Sequence, residues 1–584
     1  MRRSVPVATI AALTSAGLLL AGCSGGKGGS KGESAEANAA TKGIVNASDE
    51  KGGTLNYALS DAPESFDPGN TYYAYVWNFS RLYARPLTTF KPGPGAKGNE
   101  LVPDLAESMG KSSDGGKTWT YKIRKGLKYD DGSPITSKDV KYAVERSNFA
   151  RDVLSLGPNY FQTYLKDNEG GYKGPYKDKS KEGLKSIETP DDQTIVFHLK
   201  QAFAEFDYLV SAPQTAPVPQ AKDKGADYSK SVVSSGSYKF ESYEEGKQVT
   251  LVRNPNWSAS TDPLRKQLPD KIVLKMKVAQ STIDKDLQAG NTQIDAAGRG
   301  VDSQTQAQLL TNSKEKANTD NALGQRLVYT AMNTKVAPFD KVECRKAVQY
   351  AIDKKAVQTS LGGPIRGDIA STVLPTDLAG YQKFDMYPQK YNGDKLDLAE
   401  AKKHWDKCGA GNVSTTILAR NDRQDEVDAA TSVINSLKKI GINAKIQSYP
   451  SGKYFSDYAG VPEFTKKNNV GLMMMQWGSD YPTGFGYLNQ VFNGKAIQKS
   501  GNSNLSELND PVINKLLDDS ITNPDKAARE KMYAEADKKI MEQAVIVPLT
   551  YFKVLLYRSP KATNMVSTSA YSGQYDYLNV GLKK

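Results

Sequence analysis

Apolar side chains recur along this chain at two spacings, every second residue and every third or fourth, and stretches of the two kinds alternate. Trp119, Tyr121 and Ile123 stand at alternate positions, as do Ile195, Phe197 and Leu199, so each run predicts a half-buried strand. Thr136 and Asp139 have the spacing of a capping box ahead of Val140, Ala143 and Val144, which predicts a helix start. Cys344, Ala347, Val348, Ala351 and Ile352 make one helical stripe, and Leu398, Ala401, Trp405 and Cys408 make another. Ser414–Arg420 is strand-like, Val427, Ala430, Ile434 and Leu437 align on a helix ended by Gly441, and Ile442, Ala444 and Ile446 alternate again. Val470–Trp477 is apolar almost throughout, as in a strand buried on both faces. Gly53–Leu59 reads as the first strand of the folded body. This order predicts α/β layering with at least one βαβ unit. The 584 residues exceed what one core supports, so about two or three domains are expected.

The first fifty residues follow neither spacing. Met1-Arg2-Arg3 precedes an apolar, small-residue run from Val5 to Leu20. At about 16 residues, that run is short for a permanent span, which needs roughly 20. With the small pair Ala21-Gly22 after it, the segment reads as a secretory signal peptide over 1–22. The sequence Leu20-Ala21-Gly22-Cys23 resembles the lipobox of bacterial lipoproteins, in which the Cys is acylated and begins the mature chain. The resemblance implies a lipid on Cys23. Residues 23–50 are rich in Gly, Ser, Ala and Lys and predict a flexible linker, with a reach on the order of 30 Å. Gly28-Gly29-Ser30-Lys31-Gly32 matches G-x-S-x-G literally, but that motif needs a strand-to-helix elbow and here sits in low complexity.

Composition narrows the function by exclusion. The formal charge of +12 comes from Lys and Arg interleaved with Asp and Glu, without a polybasic stripe, which argues against nucleic acid. Of the two His, His198 falls on the polar face of its strand, and His404 one position off its helix's apolar stripe, where exposure is expected. No H-E-x-x-H, Cys pair or calcium loop is present, so neither a metal site nor a cofactor is expected. Gly115-Gly116-Lys117-Thr118 mimics the tail of a P-loop, but position 111 is Lys where the motif needs Gly, and the piece reads as a hairpin turn. Cys344 and Cys408 lie on the apolar faces of their helices, either as two core thiols or as a disulfide.

The order "LAES…DGGKTWTYKIRKGLKYDDGSPITSKDVKYAVER" between Leu105 and Arg146 resembles the signature of the bacterial extracellular solute-binding proteins of family 5, the oligopeptide- and dipeptide-binding receptors of ABC importers. SSGSYKFESYEEGKQVTLVRNPNW, DKDLQAGNTQIDAAG, MNTKVAPFDKVECRKAVQYAIDKKAV and REKMYAEADKKIMEQAVIVPLTYF correspond to later blocks in the same order. The resemblance implies a periplasmic-binding-protein-like two-lobe α/β fold, type II and of the large peptide-binding class. Lobe I would take 51–95, an extra subdomain at 96–230, then 231–324; lobe II would take 325–542, and 543–584 would return to lobe I. Two crossover strands would form the hinge.

In open α/β sheets ligands gather at the carboxyl ends of strands. The run ending Trp477-Gly478-Ser479-Asp480-Tyr481 is such an end, followed by a polar loop with a lone carboxylate. By the resemblance, Asp480 would pair with a peptide's α-ammonium, and the Trp477–Ser479 backbone would hold the peptide as an added strand. Read without the resemblance, Asp480 could equally cap a turn. Tyr72, Tyr73 and Trp77 form an aromatic group that is either the opposite wall or core. The expectation is a non-enzymatic, monomeric receptor, lipid-anchored on the extracytoplasmic face of the cell membrane. It would deliver peptides to a permease whose ATPases are separate chains. The alternatives are a non-peptide solute (sugar, opine, nickel or haem complex) in the same receptor class, a lipid-anchored cell-wall enzyme, or a sensory or adhesion lipoprotein.

Overall fold

The computed structural model describes residues 36–166, 171–179 and 182–584. The signal segment 1–22, the proposed lipid site Cys23 and the G-x-S-x-G match lie outside them. Three sheets carry the body. A five-stranded sheet has the order Ile294–Asp295, Thr54–Ala58, Lys271–Lys275, Gln248–Arg253, Tyr238–Glu244. A six-stranded sheet has the order Gly367–Ile369, Ile546–Tyr557, Thr319–Met332, Val470–Gly478, Val413–Arg420, Ile442–Tyr449. A four-stranded sheet, Lys111–Ser113, Thr118–Lys122, Thr194–His198 and Ile187–Glu188, lies within the stretch expected to be the extra subdomain.

Several local expectations appear with their reasons intact. Thr136 and Asp139 form the reciprocal capping box that opens helix Ser137–Phe149. Asp114–Gly116 turns the chain between the antiparallel strands Lys111–Ser113 and Thr118–Lys122, so the P-loop mimic is a hairpin turn. Val413–Arg420, helix Gln424–Lys438 and Ile442–Tyr449 make a parallel βαβ unit. The helix buries Ala429, Ala430, Val433 and Leu437, so its core face sits slightly round from the expected stripe, with Val427 and Ile434 at the margin.

Other expectations need correction. The linker does not extend to Glu50: Ala40 is fully buried, Asn38 N–H donates to Thr319 O at 2.8 Å, and Val45 bridges to Met565. A few small apolar side chains and backbone hydrogen bonds suffice to dock a stretch whose composition reads as linker. His404 is also not free. Its Nδ1 lies 2.8 Å from Glu343 Oε2, and its ring stacks on Tyr350 with centroids 5.6 Å apart. The strand Ile546–Tyr557 lies between Gly367–Ile369 and Thr319–Met332 in the six-stranded sheet. This strand and Thr319–Met332 pair antiparallel along most of their length, with a register irregularity between Leu323 and Leu327.

Cys344 and Cys408 form a disulfide, with Cα atoms 5.1 Å apart and 64 residues between them in sequence. It ties helix Val342–Ala351 to helix Ala399–Cys408. Closing a loop of that length restricts the unfolded chain, a stabilisation typically of about 2–4 kcal/mol. A chain lacking Cys23 is expected to give no thiol reaction until reduced, and Cys344→Ser/Cys408→Ser is expected to lower the melting temperature. A positive thiol assay on the folded, oxidised protein would contradict the pairing.

Candidate functional site

Val413–Arg420 and Val470–Gly478 run parallel, so their carboxyl ends open on the same side of the sheet. Thr319–Met332 runs the other way beside them and brings Arg326 opposite Gly478. These ends form one wall of a cleft of about 1030 Å³, its mouth included. Facing them are Glu64, Tyr72, Tyr73, Tyr75 and Trp77, with Leu156-Gly157, Arg299, Ser572 and Gln574 at the sides.

The aromatic wall is held from behind by a buried ion pair. Asp67 takes Arg146 at 3.0 and 2.8 Å through both carboxylate oxygens, with both side chains fully buried. The same carboxylate accepts Gly69 N–H at 2.9 Å. One turn on, Asn70 Oδ1 accepts Leu156 N–H at 3.1 Å, and Trp77 Nε1 donates to Thr71 O at 3.2 Å. These bonds set Tyr72 against Trp77, stacked with centroids 5.8 Å apart, and edge-on to Trp477, also at 5.8 Å. Tyr73 reaches the other wall, donating to Ser451 O at 2.6 Å.

Asp480 sits where these groups meet. Its Oδ2 accepts from Tyr72 Oη at 2.9 Å and from Tyr160 Oη at 2.7 Å. Its own N–H donates to Gly486 O at 3.0 Å, which fixes the loop. The carboxylate caps no backbone N–H among the described residues; Thr483 performs that task, accepting Gly486 N–H at 3.1 Å. No cation lies within salt-bridge distance of it among the described residues. Burial pushes the Asp480 carboxyl up to about 7, and the two phenols hold it from going higher. Burial likewise raises Glu64 to about 7, against the opposing pull of Ser456 and Lys453.

The cationic side of the cleft is denser. Arg299 pairs with Asp425 at 2.5 Å, Arg423 with Asp61 at 3.4 Å, and Arg420 with Glu426. Arg326 has its guanidinium carbon 5.1 Å from the Phe552 ring centroid and no ion-paired carboxylate among the described residues. Burial, reinforced by Arg423 and Arg299, lowers its pKa to about 9, so it remains charged at neutral pH. Gly478 makes room for this arrangement: a Cβ there would stand 2.7 Å from Ser572 Oγ and 3.1 Å from Arg326 Cγ.

Of the residues singled out in sequence, Tyr72, Tyr73, Trp77, Trp477, Gly478, Ser479 and Asp480 line the cleft together. Tyr481 does not: it is buried and stacked on Tyr208, centroids 5.6 Å apart. Sequence reasoning missed Tyr160, Glu64 and the arginines. The strand-end rule could have found Arg420 and Arg423, which end and follow the strand Val413–Arg420. Among the described residues there is no cluster of His, Cys, Asp and Glu fit to hold a metal ion, and no helix long and apolar enough to cross a membrane.

Comparison with known proteins accords with this architecture. The family profile for bacterial extracellular solute-binding proteins, family 5 Middle, matches residues 100–499. A solved structure, the clavulanic acid biosynthesis oligopeptide binding protein 2, is 39% identical, with a TM-score of 0.86, covering 94% of this chain and 99% of that one. The oligopeptide-binding protein OppA of Bacillus subtilis is 24% identical, over 92% of each chain. The probable D,D-dipeptide-binding periplasmic protein DdpA of Escherichia coli is also 24% identical, over 83% of this chain and 86% of its own. Fold and cleft define a two-lobed solute-binding receptor of the kind that serves ABC importers. The chain belongs to the bacterial extracellular solute-binding proteins of family 5.

The phenols' hold on Asp480 is open to direct test. A hydrogen bond to a charged group contributes about 1.5–3 kcal/mol, so Tyr160→Phe is expected to raise the Asp480 pKa by roughly 1–2 pH units. Carboxyl-labelled NMR titration, with Asp480→Asn to assign the signal, measures it; an unmoved titration would contradict the geometry.

Proposed function

We propose that this protein is a lipid-anchored receptor that captures peptides between its two lobes and hands them to an ABC-type permease with separate ATPase chains. The observation that carries the peptide reading is Asp480. It is a carboxylate in the cleft with both phenols on Oδ2 and, among the described residues, no hydrogen bond to Oδ1 and no cation beside it. A ligand's α-ammonium would supply the missing charge. The sheet supports the second half of the reading. Val413–Arg420 pairs with Val470–Gly478 only as far as Met473, and among the described residues no strand pairs with Met475–Ser479 on that side. A peptide laid there would be bound through its backbone. The aromatic wall of Tyr72, Tyr73, Trp77 and Trp477 would cover it without demanding particular side chains. The names of the relatives, which include oligopeptide and dipeptide binders, point to the same ligand class.

Truncating one partner of a buried charge pair costs about 2–5 kcal/mol. Asp480→Ala is therefore expected to weaken binding of a short peptide such as trialanine at least tenfold by calorimetry; an unchanged affinity would overturn the assignment. The carboxylate must be ionised to hold an ammonium. With its free-state pKa near 7, affinity is expected to fall as pH drops below 7, by up to about tenfold per unit, and to level off above. Glu64 titrates in the same range in the same cleft, so Asp480→Asn isolates its share. For the anchor, Cys23→Ala is expected to release a protein that binds its ligand with unchanged affinity while cellular uptake drops. Loss of binding along with release would contradict the separation of tether and receptor.

A further inference from the structure

The loop that carries Asp480 is braced by a residue from a distant part of the chain. Strand Thr194–His198 of the four-stranded sheet leads towards the short helix Phe206–Leu209, and Glu205 stands at the start of that helix. An aromatic ring on each side of Glu205 is lodged against the Asp480 loop and the helix after it. Phe203 lies edge-on to Phe485, with centroids 5.5 Å apart, and Tyr208 stacks on Tyr481. Glu205 itself is only 4% exposed. Its Oε1 accepts Tyr533 Oη–H at 2.9 Å and lies 3.3 Å from Arg529 Nε, while its Oε2 accepts Thr483 Oγ1–H at 2.7 Å. Thr483 passes this bond on: its Oγ1 accepts Gly486 N–H at 3.1 Å, and Gly486 O accepts Asp480 N–H at 3.0 Å. Three hydrogen bonds in series thus run from a buried carboxylate to the backbone of Asp480. A hydroxyl that donates to a carboxylate is polarised and becomes a better acceptor, so the bonds of such a chain reinforce one another. Gly484 lets the loop come this close, because a Cβ there would meet Tyr533 Cγ at 2.3 Å. An ion pair alone does not account for the arrangement. Arg529 gives its Nη1 to Asn523 O and Pro524 O and offers Glu205 only Nε, whereas the second carboxylate oxygen is aimed at the Thr483 hydroxyl.

We infer that Glu205 is a positioning residue for the solute site, acting on Asp480 through Thr483 and Gly486. A free threonine hydroxyl turns its proton to any acceptor and its lone pairs to any donor. Here the fixed carboxylate takes the proton and leaves a lone pair for Gly486 N–H, so Thr483 caps helix Gly484–Phe492 in one orientation. That orientation sets where Gly486 O points, and with it where the Asp480 backbone lies. Tyr160, which donates to Asp480 Oδ2 directly, belongs to the same support. Its helix, Tyr160–Tyr164, packs on the segment that holds Glu205 through Tyr164 and Phe203, with centroids 5.0 Å apart. One part of the fold therefore governs the carboxylate twice, through its side chain and through its backbone. Without the brace, Asp480 N–H and Gly486 N–H would turn to water, and the loosened loop would admit water to the carboxylate. Burial is the main cause that raises the Asp480 pKa to about 7, so loosening the loop lowers it.

This assignment rests on the receptor reading of the cleft, and a measurement made without ligand separates the two. Carboxyl-labelled NMR titration of Asp480 is made on the wild type, Glu205→Leu, Glu205→Gln, Thr483→Val and the Glu205→Leu/Thr483→Val double variant. Glu205→Leu and Thr483→Val are each expected to lower the Asp480 pKa by about half a pH unit or more, and Glu205→Gln, which keeps an acceptor for Thr483, by less. Because the two residues act in one chain, the double variant should fall no further than the larger single one. An unmoved or raised value, summed shifts in the double variant, or equal shifts in Glu205→Leu and Glu205→Gln overturn the positioning role. Should Glu205→Leu fail to fold, Thr483→Val and Thr483→Ser decide: a fall in the first with wild-type behaviour in the second upholds the chain, and any other pattern overturns it. Calorimetry with trialanine, at a pH about one unit above the Asp480 pKa, reads the consequence for binding, expected as a loss of about fivefold or more in Glu205→Leu and in Thr483→Val. Unchanged affinity in both, where Asp480→Ala does weaken binding, overturns the role in solute capture. If the wild type binds no trialanine, the peptide reading fails, and the titrations still decide whether Glu205 positions Asp480.

Discussion

A carboxylate held among aromatic rings without a cation beside it raises the energy of a folded protein, and among the described residues Asp480 stands in that arrangement just past the carboxyl end of the strand Val470–Gly478. Asp480 is surrounded by aromatic rings and steadied only by phenols. Arg326, partly exposed in the same cleft, packs on the Phe552 ring with Arg299, Arg420 and Arg423 as charged neighbours. The surrounding fold must therefore supply the stability that the Asp480 carboxylate removes. Its apolar core does so, while the complete buried pairs Asp67–Arg146 behind the aromatic wall and Arg85–Asp104–Arg265–Asp262 farther back fix orientation.

The cleft is polar at its ends and aromatic along its length, and this division suits a receptor that accepts a class of solutes. Stacked rings give contact area with little directional demand. Tyr72 joins the two functions, because its ring packs between Trp77 and Trp477 while its hydroxyl donates to Asp480. The position of that ring depends on Asn70, Thr71 and Asp67, so the geometry around Asp480 is tied to packing some distance away.

Much of the scaffold was legible because its signals are local. The alternation at Trp119, Tyr121 and Ile123, the box at Thr136 and Asp139, and the apolar run ending at Trp477 each fix an element from neighbours in sequence. Asp480 was legible because it follows a buried strand's carboxyl end, where the fold class concentrates ligands. Tyr160 was not, since it bonds to a residue 320 positions away and stands in a stretch without periodicity. Arg326 lay hidden for a related reason. Its place in the cleft arises from cross-strand register with Gly478, which no single stretch of chain reveals. Composition misled between Glu36 and Glu50, where Ala40 and Val45 dock despite their linker-like surroundings.

That docked stretch also decides how the body answers to mechanical load. Asn38 bonds to Thr319, at the start of the long strand, and Asn46 and Ser48 bond to Ala562 and Asn564 near the chain's end. A pull applied ahead of Glu36 is thus delivered to the end of the crossover ladder remote from the Arg326–Gly478 pairing. Asp480 and the strands that carry it lie beyond the irregular register between Leu323 and Leu327, so the path of such a load and the Asp480 loop fall on opposite sides of that irregularity.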